Sequence, residues 1–386
     1  MIQLKDICDI YDCPHTTAKD EGKGYPLVRT PNVGKGRLLL NGIHRVSEEV
    51  YNSRNSRAIP EEGDLILARE APVGNVSIIM QGQRVCLGQR VVLIKPKREL
   101  VDPHYLTYYL LSAEVQNRLK NHANGAVVAH LNVTDIRNLL VSLPELDEQI
   151  AIGKILRSIE DKIELNNRIN HNLLNLAQEL FNNSIAENAC CSRGWRSASL
   201  LDIAEYLNGL AMQKYPAING EFSLPVLKIK ELGQQACDAN SDRCTESIPE
   251  QFIVKDGDII FSWSGTLLVD FWCGGKCGLN QHLFKVSSDM YPNWFVYFWT
   301  KHHLDRFIRI AKDKAVTMGH IKRGDLGKAV VVIPEDAVMN KLNGEIAPLI
   351  SECIERRIEN RKLQSLRNSL LPKLMSGELK INDLTC

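Results

Sequence analysis

The chain has 386 residues, 44% of them hydrophobic, and sets 47 Lys and Arg against 46 Asp and Glu for a net charge of +1. That length exceeds a typical single hydrophobic core and implies at least two domains. The near-neutral balance counts against a protein that grips nucleic acid through a strongly basic surface alone.

No apolar run reaches the length of a membrane span. The opening MIQLKDICDI lacks the basic-then-apolar pattern of an export signal, so a cytoplasmic location is expected. Eleven cysteines are scattered without a CxxC, and CGGKC at 273–277 offers one pair where a structural zinc site needs two. Free thiols and no metal are the expectation.

Taken in chain order, LKDICDI (4–10) and YPLVRT (25–30) come first, and GDLILAR (63–69), VSIIM (76–80) and RVVLIKP (90–96, overlapping LGQRVVLI at 87–94) are short runs rich in Ile, Val and Leu, bounded by turn residues, that predict strands. Asp102-Pro103 opens a helix, with Asp as cap and Pro in the first turn, and Tyr105, Leu106, Tyr109 and Leu110 supply its apolar face. VAHLNVTDIRNLLVSLPEL (128–146) then leads into a long helix. Its seam, Ile152, Leu156, Ile159, Ile163, Asn166, Asn170, Leu173, Ala177 and Leu180, follows alternating steps of four and three, with two asparagines expected to fix register. A helix over 146–183 would run about 55 Å.

AENACCSRGW (186–195) has little periodicity and reads as a linker. The series then begins again: LLDIAEY (200–206), LPVLKI (224–229), GDIIFSW (257–263), LNQHLFKV (279–286), YPNWFVYFW (291–299) and MGHIKRGDLGKAVVVIPED (318–336). The shared order marks an internal repeat. Trp294, Phe295, Phe298 and Trp299 repeat the apolar helix face and are expected in the core. A second long helix carries Ile346, Ile350, Ile354, Ile358, Leu363, Leu366, Leu370 and Leu374 as a less regular stripe, and Pro372 is expected to end or bend it. Neither stripe can be buried alone, so the two helices are expected to pair. Antiparallel pairing would relate the two halves by an approximate two-fold axis.

Catalytic patterns are missing. NVGKGRL (32–38) lacks the spacing of a phosphate-binding loop. DPHY (102–105) falls one proline short of the Asp-Pro-Pro-Tyr signature of amino-methylating DNA methyltransferases, and no glycine-rich cofactor loop precedes it. His130 and His320 recur ahead of LNVTD and IKRGD, which favours turn or capping roles over a catalytic base.

Several stretches together resemble the specificity subunit of type I restriction–modification systems. LVSLPELDEQIAIGKIL (140–156) looks like that family's first long helix at its start, IERRIENRKLQSLRNSLLPKLMSGEL (354–379) is similar to its second, and YPLVRTPNV with GDLILAR resembles the core strands of a recognition domain. VIPEDAVMNKLNGEI departs from the pattern, lacking the Glu-Gln of the first copy.

The resemblance implies an α+β chain: two pseudo-repeated target-recognition domains of mixed structure, separated and joined by two long antiparallel helices forming a coiled coil. In those terms residues 1–145 are the first recognition domain, 146–184 the first helix, 185–195 the linker, 196–335 the second recognition domain and 336–380 the second helix and tail. It implies a non-catalytic subunit that reads a bipartite duplex DNA target. It also implies assembly with two methyltransferase subunits, with or without two endonuclease subunits. The chain itself would bind no cofactor; S-adenosylmethionine, and ATP with Mg where an endonuclease is present, would belong to the partners. A specificity subunit of another multisubunit restriction system, a fused restriction–modification enzyme and a structural coiled-coil adaptor are the alternatives.

Candidate base or phosphate contacts lie in polar segments between the strands. They are Arg29, Lys35, Arg37, Arg69, Gln89 and Arg90 in the first half. In the second they are Lys228, Lys230, Ser262, Ser264, Asn280, Gln281, His282, Lys322 and Arg323. The loops that differ most between the halves, REAPVGNVS and SWSGTLLVD, are the first choice for specificity. Six cations on the second long helix, Arg356, Arg357, Arg361, Lys362, Arg367 and Lys373, suggest a solvated face or, alternatively, a DNA or partner contact.

Overall fold

In the computed structural model the described residues are 1–122, 130–186, 194–313 and 319–381. Residues 187–193, most of the expected linker, lie outside them. The chain divides into two compact units, Met1–Asp161 with Gln364–Cys386, and Lys162–Leu363. Both long helices, Leu146–Phe181 and Asp336–Ser376, contribute a part to each unit. No helix among the described residues is long and apolar enough to cross a membrane.

The first unit holds a five-stranded sheet in the order Cys8–Asp12, Val91–Pro96, Leu65–Ala68, Val76–Ile78, Gly36–Arg37, antiparallel except for the last pair. A smaller sheet sets Tyr25–Val28 antiparallel to Arg45–Val46 and parallel to Cys86–Leu87. Side chains of successive strand residues point to opposite faces. Accordingly Leu65 and Leu67 join one core with the helix Pro103–Leu111, while Ile66 and Ala68 join a second core on the far side. That is why LILA reads as a continuous apolar run: both faces of the sheet are covered.

The second unit repeats this topology, but among the described residues its large sheet has four strands, with no counterpart of Gly36–Arg37, and its small sheet gains Ile253–Val254. Glu205–Asn208, Leu283–Ser287, Ile259–Ser262 and Leu268–Phe271 form the large sheet, in the order of their counterparts. Ser223–Leu227 lies antiparallel to Arg243–Thr245 and parallel to Cys277–Leu279. Trp294, Phe295, Phe298 and Trp299 are all buried against this sheet, as core. The described cysteines are free and, apart from the half-buried Cys237, buried.

Within each unit the helical parts run antiparallel. In the first, Ile152 and Leu156 pack with Leu370 and Leu374, and Glu160 is ion-paired with Arg367. In the second, Asn166 Nδ2 donates to Asn360 Oδ1 at 2.9 Å and to Glu359 at 2.7 Å, and Arg356 donates to Asn166 Oδ1 at 3.0 Å. Asn360 in turn donates to Asn167 Oδ1 at 2.9 Å. A one-turn slip would strand these amides among aliphatic side chains, so they set register.

Three expectations are corrected. The helix runs through Pro372 to Ser376, because Leu370, Leu371, Leu374 and Met375 pack on the first core around the single missing N–H. Leu366 is not in the seam but 46% exposed. The buried positions beyond Ile350 are Cys353, Asn360 and Leu374, on a seven-residue spacing that the half-buried Arg367 continues; Ile354, Ile358, Leu363 and Leu370 are half-buried beside them. The cations are no free face either. Arg357 pairs with Asp270 at 2.9 Å, Arg361 with Asp256 at 2.6 Å, and Arg356 and Arg367 with Glu352 and Glu160. Lys362 and Lys373 remain exposed.

Candidate nucleic-acid interface

In both units the strand-ends of the large sheet meet the turn of the small sheet and the segment after the recurrent histidine. In the first, the Arg69 N–H donates to Arg90 O at 2.9 Å and the Leu131 N–H to Arg69 O at 3.0 Å. In the second, Trp263 N–H donates to His282 O at 3.4 Å and Ile321 N–H to Trp263 O at 3.1 Å. One backbone frame therefore occurs twice, with residues 69, 70, 90 and 130 matched by 263, 264, 282 and 320.

The side chains on that frame differ. Arg69 is buried. Its guanidinium meets Asp12 at 2.9 Å, Leu131 O at 2.8 Å and His130 Nε2 at 2.7 Å. Arginine only donates, so Nε2 accepts and the ring proton sits on Nδ1, which bonds Glu70 Oε1 at 2.7 Å. Glu70 Oε2 holds the exposed Arg90 at 3.0 Å. Gln89 Nε2 donates to His15 O, and these groups line an open cleft of about 310 Å³.

In the second unit Trp263 takes the place of Arg69, its Nε1 donating to Asn208 Oδ1 at 2.9 Å where Asp12 would stand. Its ring lies 5.9 Å from that of His282 and edge-on to His320 at 6.4 Å. Ser264 Oγ meets His282 Nδ1 at 3.1 Å. A cluster built on ion pairs in one unit is matched by an aromatic one in the other.

The structure thus brings together Arg69, Gln89 and Arg90, and likewise Ser264, Gln281 and His282. Several other candidates are committed elsewhere. Ser262 is fully buried and donates to the carbonyls of Ser264 or Thr266, bracing the turn. Asn280 is buried and accepts the His282 N–H. Arg37 is ion-paired with Asp161 on the long helix, and the half-buried Arg29 packs its stem over Gly88. Lys228 and Lys230 pair with Asp242 and Asp238. Lys35, Lys322 and Arg323 are exposed, Arg323 reaching Tyr206 O at 3.5 Å. Residues 123–129 and 314–318, beside each cluster in sequence, lie outside the described residues. His15, Glu70, Trp263 and the two histidines were not among the candidates. Recurrence of His130 and His320 was the available signal.

Elsewhere in the second unit, Arg357 and Arg361 tie the helix to the sheet through Asp270 and Asp256. Burial works against the Arg357 charge, yet Asp270 holds its proton well above the ordinary arginine range. Burial alone would raise the Asp256 carboxyl, but the Arg361 guanidinium and the Gly275 N–H outweigh it and keep it below the usual aspartate range.

A family model described as type I restriction modification DNA specificity domain matches residues 1–175. The type I restriction enzyme MjaIX specificity subunit of Methanocaldococcus jannaschii is 24% identical over 99% of this chain and 94% of its own. The HindI specificity subunit of Haemophilus influenzae is 18% identical over 83% of this chain and 87% of its own. Among solved structures, the type I S subunit from M. genitalium superposes with a TM-score of 0.61 at 13% identity, over 97% of this chain and 95% of that one, and shares its fold.

Proposed function

The chain belongs to the specificity subunits of type I restriction–modification systems, and from that premise we propose that it reads a two-part duplex DNA sequence, one part with each unit. The observation that carries this reading is the frame built twice with different side chains. A structural adaptor has no use for two such clusters, whereas a reader of two unlike half-sites needs a constant scaffold and variable contacts. Arginine and amide side chains at the cluster edges are suited to base edges, each bidentate pair discriminating by about 1–3 kcal/mol. Connecting two modest readers in one chain makes the second contact intramolecular, so a net charge of +1 suffices.

In this reading the subunit does no chemistry. It binds DNA in the cytoplasm and assembles two methyltransferase subunits, with or without two endonuclease subunits. S-adenosylmethionine, and ATP with Mg where an endonuclease is present, are used by those partners. The test is methylation sequencing of the host before and after deleting the gene. Loss of N6-methyladenine at a single two-part motif is expected. An unchanged methylome in cells where the assembled complex is present would overturn the proposal in favour of an adaptor.

A further inference from the structure

Arg90 stands at the exposed edge of the first cluster, its side chain 62% accessible, yet it is held. Glu70 engages one Nη, and His130 fixes Glu70 from the other side, so the guanidinium is oriented before anything binds. Among the described residues nothing takes its remaining N–H groups. The backbone at Arg90 has a φ of +65°, a left-handed value it shares with only two other non-glycine residues described, Ala71 and Gln235. A side chain there is strained where glycine would be at ease, and strain retained at a surface turn points to a use for the side chain. At the same place in the second unit the supporting backbone bonds recur, but the residue is His282 on Ser264. What is constant is scaffold; what changes is the group presented.

We propose that Arg90 reads a guanine in the half-site of the first unit, with Glu70 and His130 as positioning residues, a step that rests on the two-part reading above. A planar fork with one edge fixed by a carboxylate offers its free edge to guanine O6 and N7 in the major groove. Arg90→Gly removes the fork and suits the φ, so it is expected to unfold no earlier than the parent. Arg90→Lys keeps the charge without the fork.

The experiment uses the chain assembled with its methyltransferase subunits and duplexes randomised across both half-sites. With the parent complex, one position of one half-site shows guanine. Both variants should lose that preference about tenfold or more, while the other half-site is unchanged. Arg90→Lys should keep the salt dependence of binding. Glu70→Gln should weaken preference at the same base pair by less, and nowhere else. Unchanged preference in both variants overturns the assignment. So does uniform weakening on all sequences with a shallower salt slope, which marks a phosphate contact. So does loss at a position that is not guanine. A parent complex with no two-part preference would instead sink the function proposed above.

Discussion

In the first unit Arg69 meets Asp12 at 2.9 Å, and in the second Trp263 meets Asn208 at the same separation. The two pairs occupy one place in one topology, but the first is charge-assisted and the second neutral. Around them a chain of ion pairs and hydrogen bonds from His15 through Asp12, Arg69, His130 and Glu70 to Arg90 is matched by Trp263, Ser264, His282 and His320. The comparison teaches that frame and contacts are separable. Backbone hydrogen bonds and the two-sided cores fix where the cluster stands, and side chains at four positions decide what it offers. Buried polar groups in such a cluster must be paired, so each set has to change together.

The comparison breaks most visibly if the units are not independent readers. Exchanging residues 1–140 for the corresponding domain of another specificity subunit should change one part of the methylated motif and leave the other intact. A change in both parts, read by methylation sequencing, would end the modular account. A smaller effect should separate the two chemistries. Arg69→Met leaves Asp12 and the Leu131 carbonyl without their donor and should cost about 3 kcal/mol. Trp263→Phe loses the single bond to Asn208 and should cost about 1 kcal/mol. Denaturant unfolding of both variants checks the order; equal costs would mean that the ionic chain is no more demanding than the aromatic one.

The smallest effect concerns pH. Asp256 is held below the usual aspartate range by Arg361, so its contribution is complete above the unfolded value of about 4 and fades as pH falls through the depressed folded value. Asp256→Asn should therefore be less stable than the parent near neutrality, with the difference closing in acid. Parallel stability curves across that range would show that the pair contributes nothing measurable.

Much of this was legible in the sequence. The repeat predicted two like topologies, and Asp102-Pro103 opened its helix as read, with Asp102 Oδ1 accepting the Tyr105 N–H at 2.7 Å. REAPVGNVS and SWSGTLLVD, the loops singled out for difference, hold Arg69, Glu70, Trp263 and Ser264. What was not legible depended on pairings remote in sequence. Glu70 and His130 are 60 residues apart, and nothing local marks either as a partner. The second seam was misread because a search for aliphatics passes over Asn360 and Arg367, inward residues whose polar ends are satisfied by the other helix. Arg357, Arg361 and Arg367 of that helix looked available for DNA because their carboxylates lie 87, 105 and 207 residues away along the chain. Ser262 looked available because hydroxyls signal nothing about burial.

One joint remains. Gln149 is buried at the start of the first long helix, where its amide donates to Pro144 O at 2.9 Å and accepts the Asp102 N–H at 3.1 Å. A Cβ on Gly153 would collide with Asp102 Oδ1 and crowd the Tyr105 amide. The glutamine thus grasps main-chain groups, which every sequence possesses, and the glycine asks only for closeness. In the second copy the grip is made differently: Asn343, at the place of Gly153, accepts from Trp294 Nε1 at 2.8 Å. A domain spliced upstream of Pro144 would meet these main-chain contacts of the first joint with other residues, provided it kept the path of the chain, the aspartate cap and an apolar surface for Ile152 and Leu156. For genes that recombine, this is a permissive seam: new recognition can be inherited without redesigning the helix that carries it.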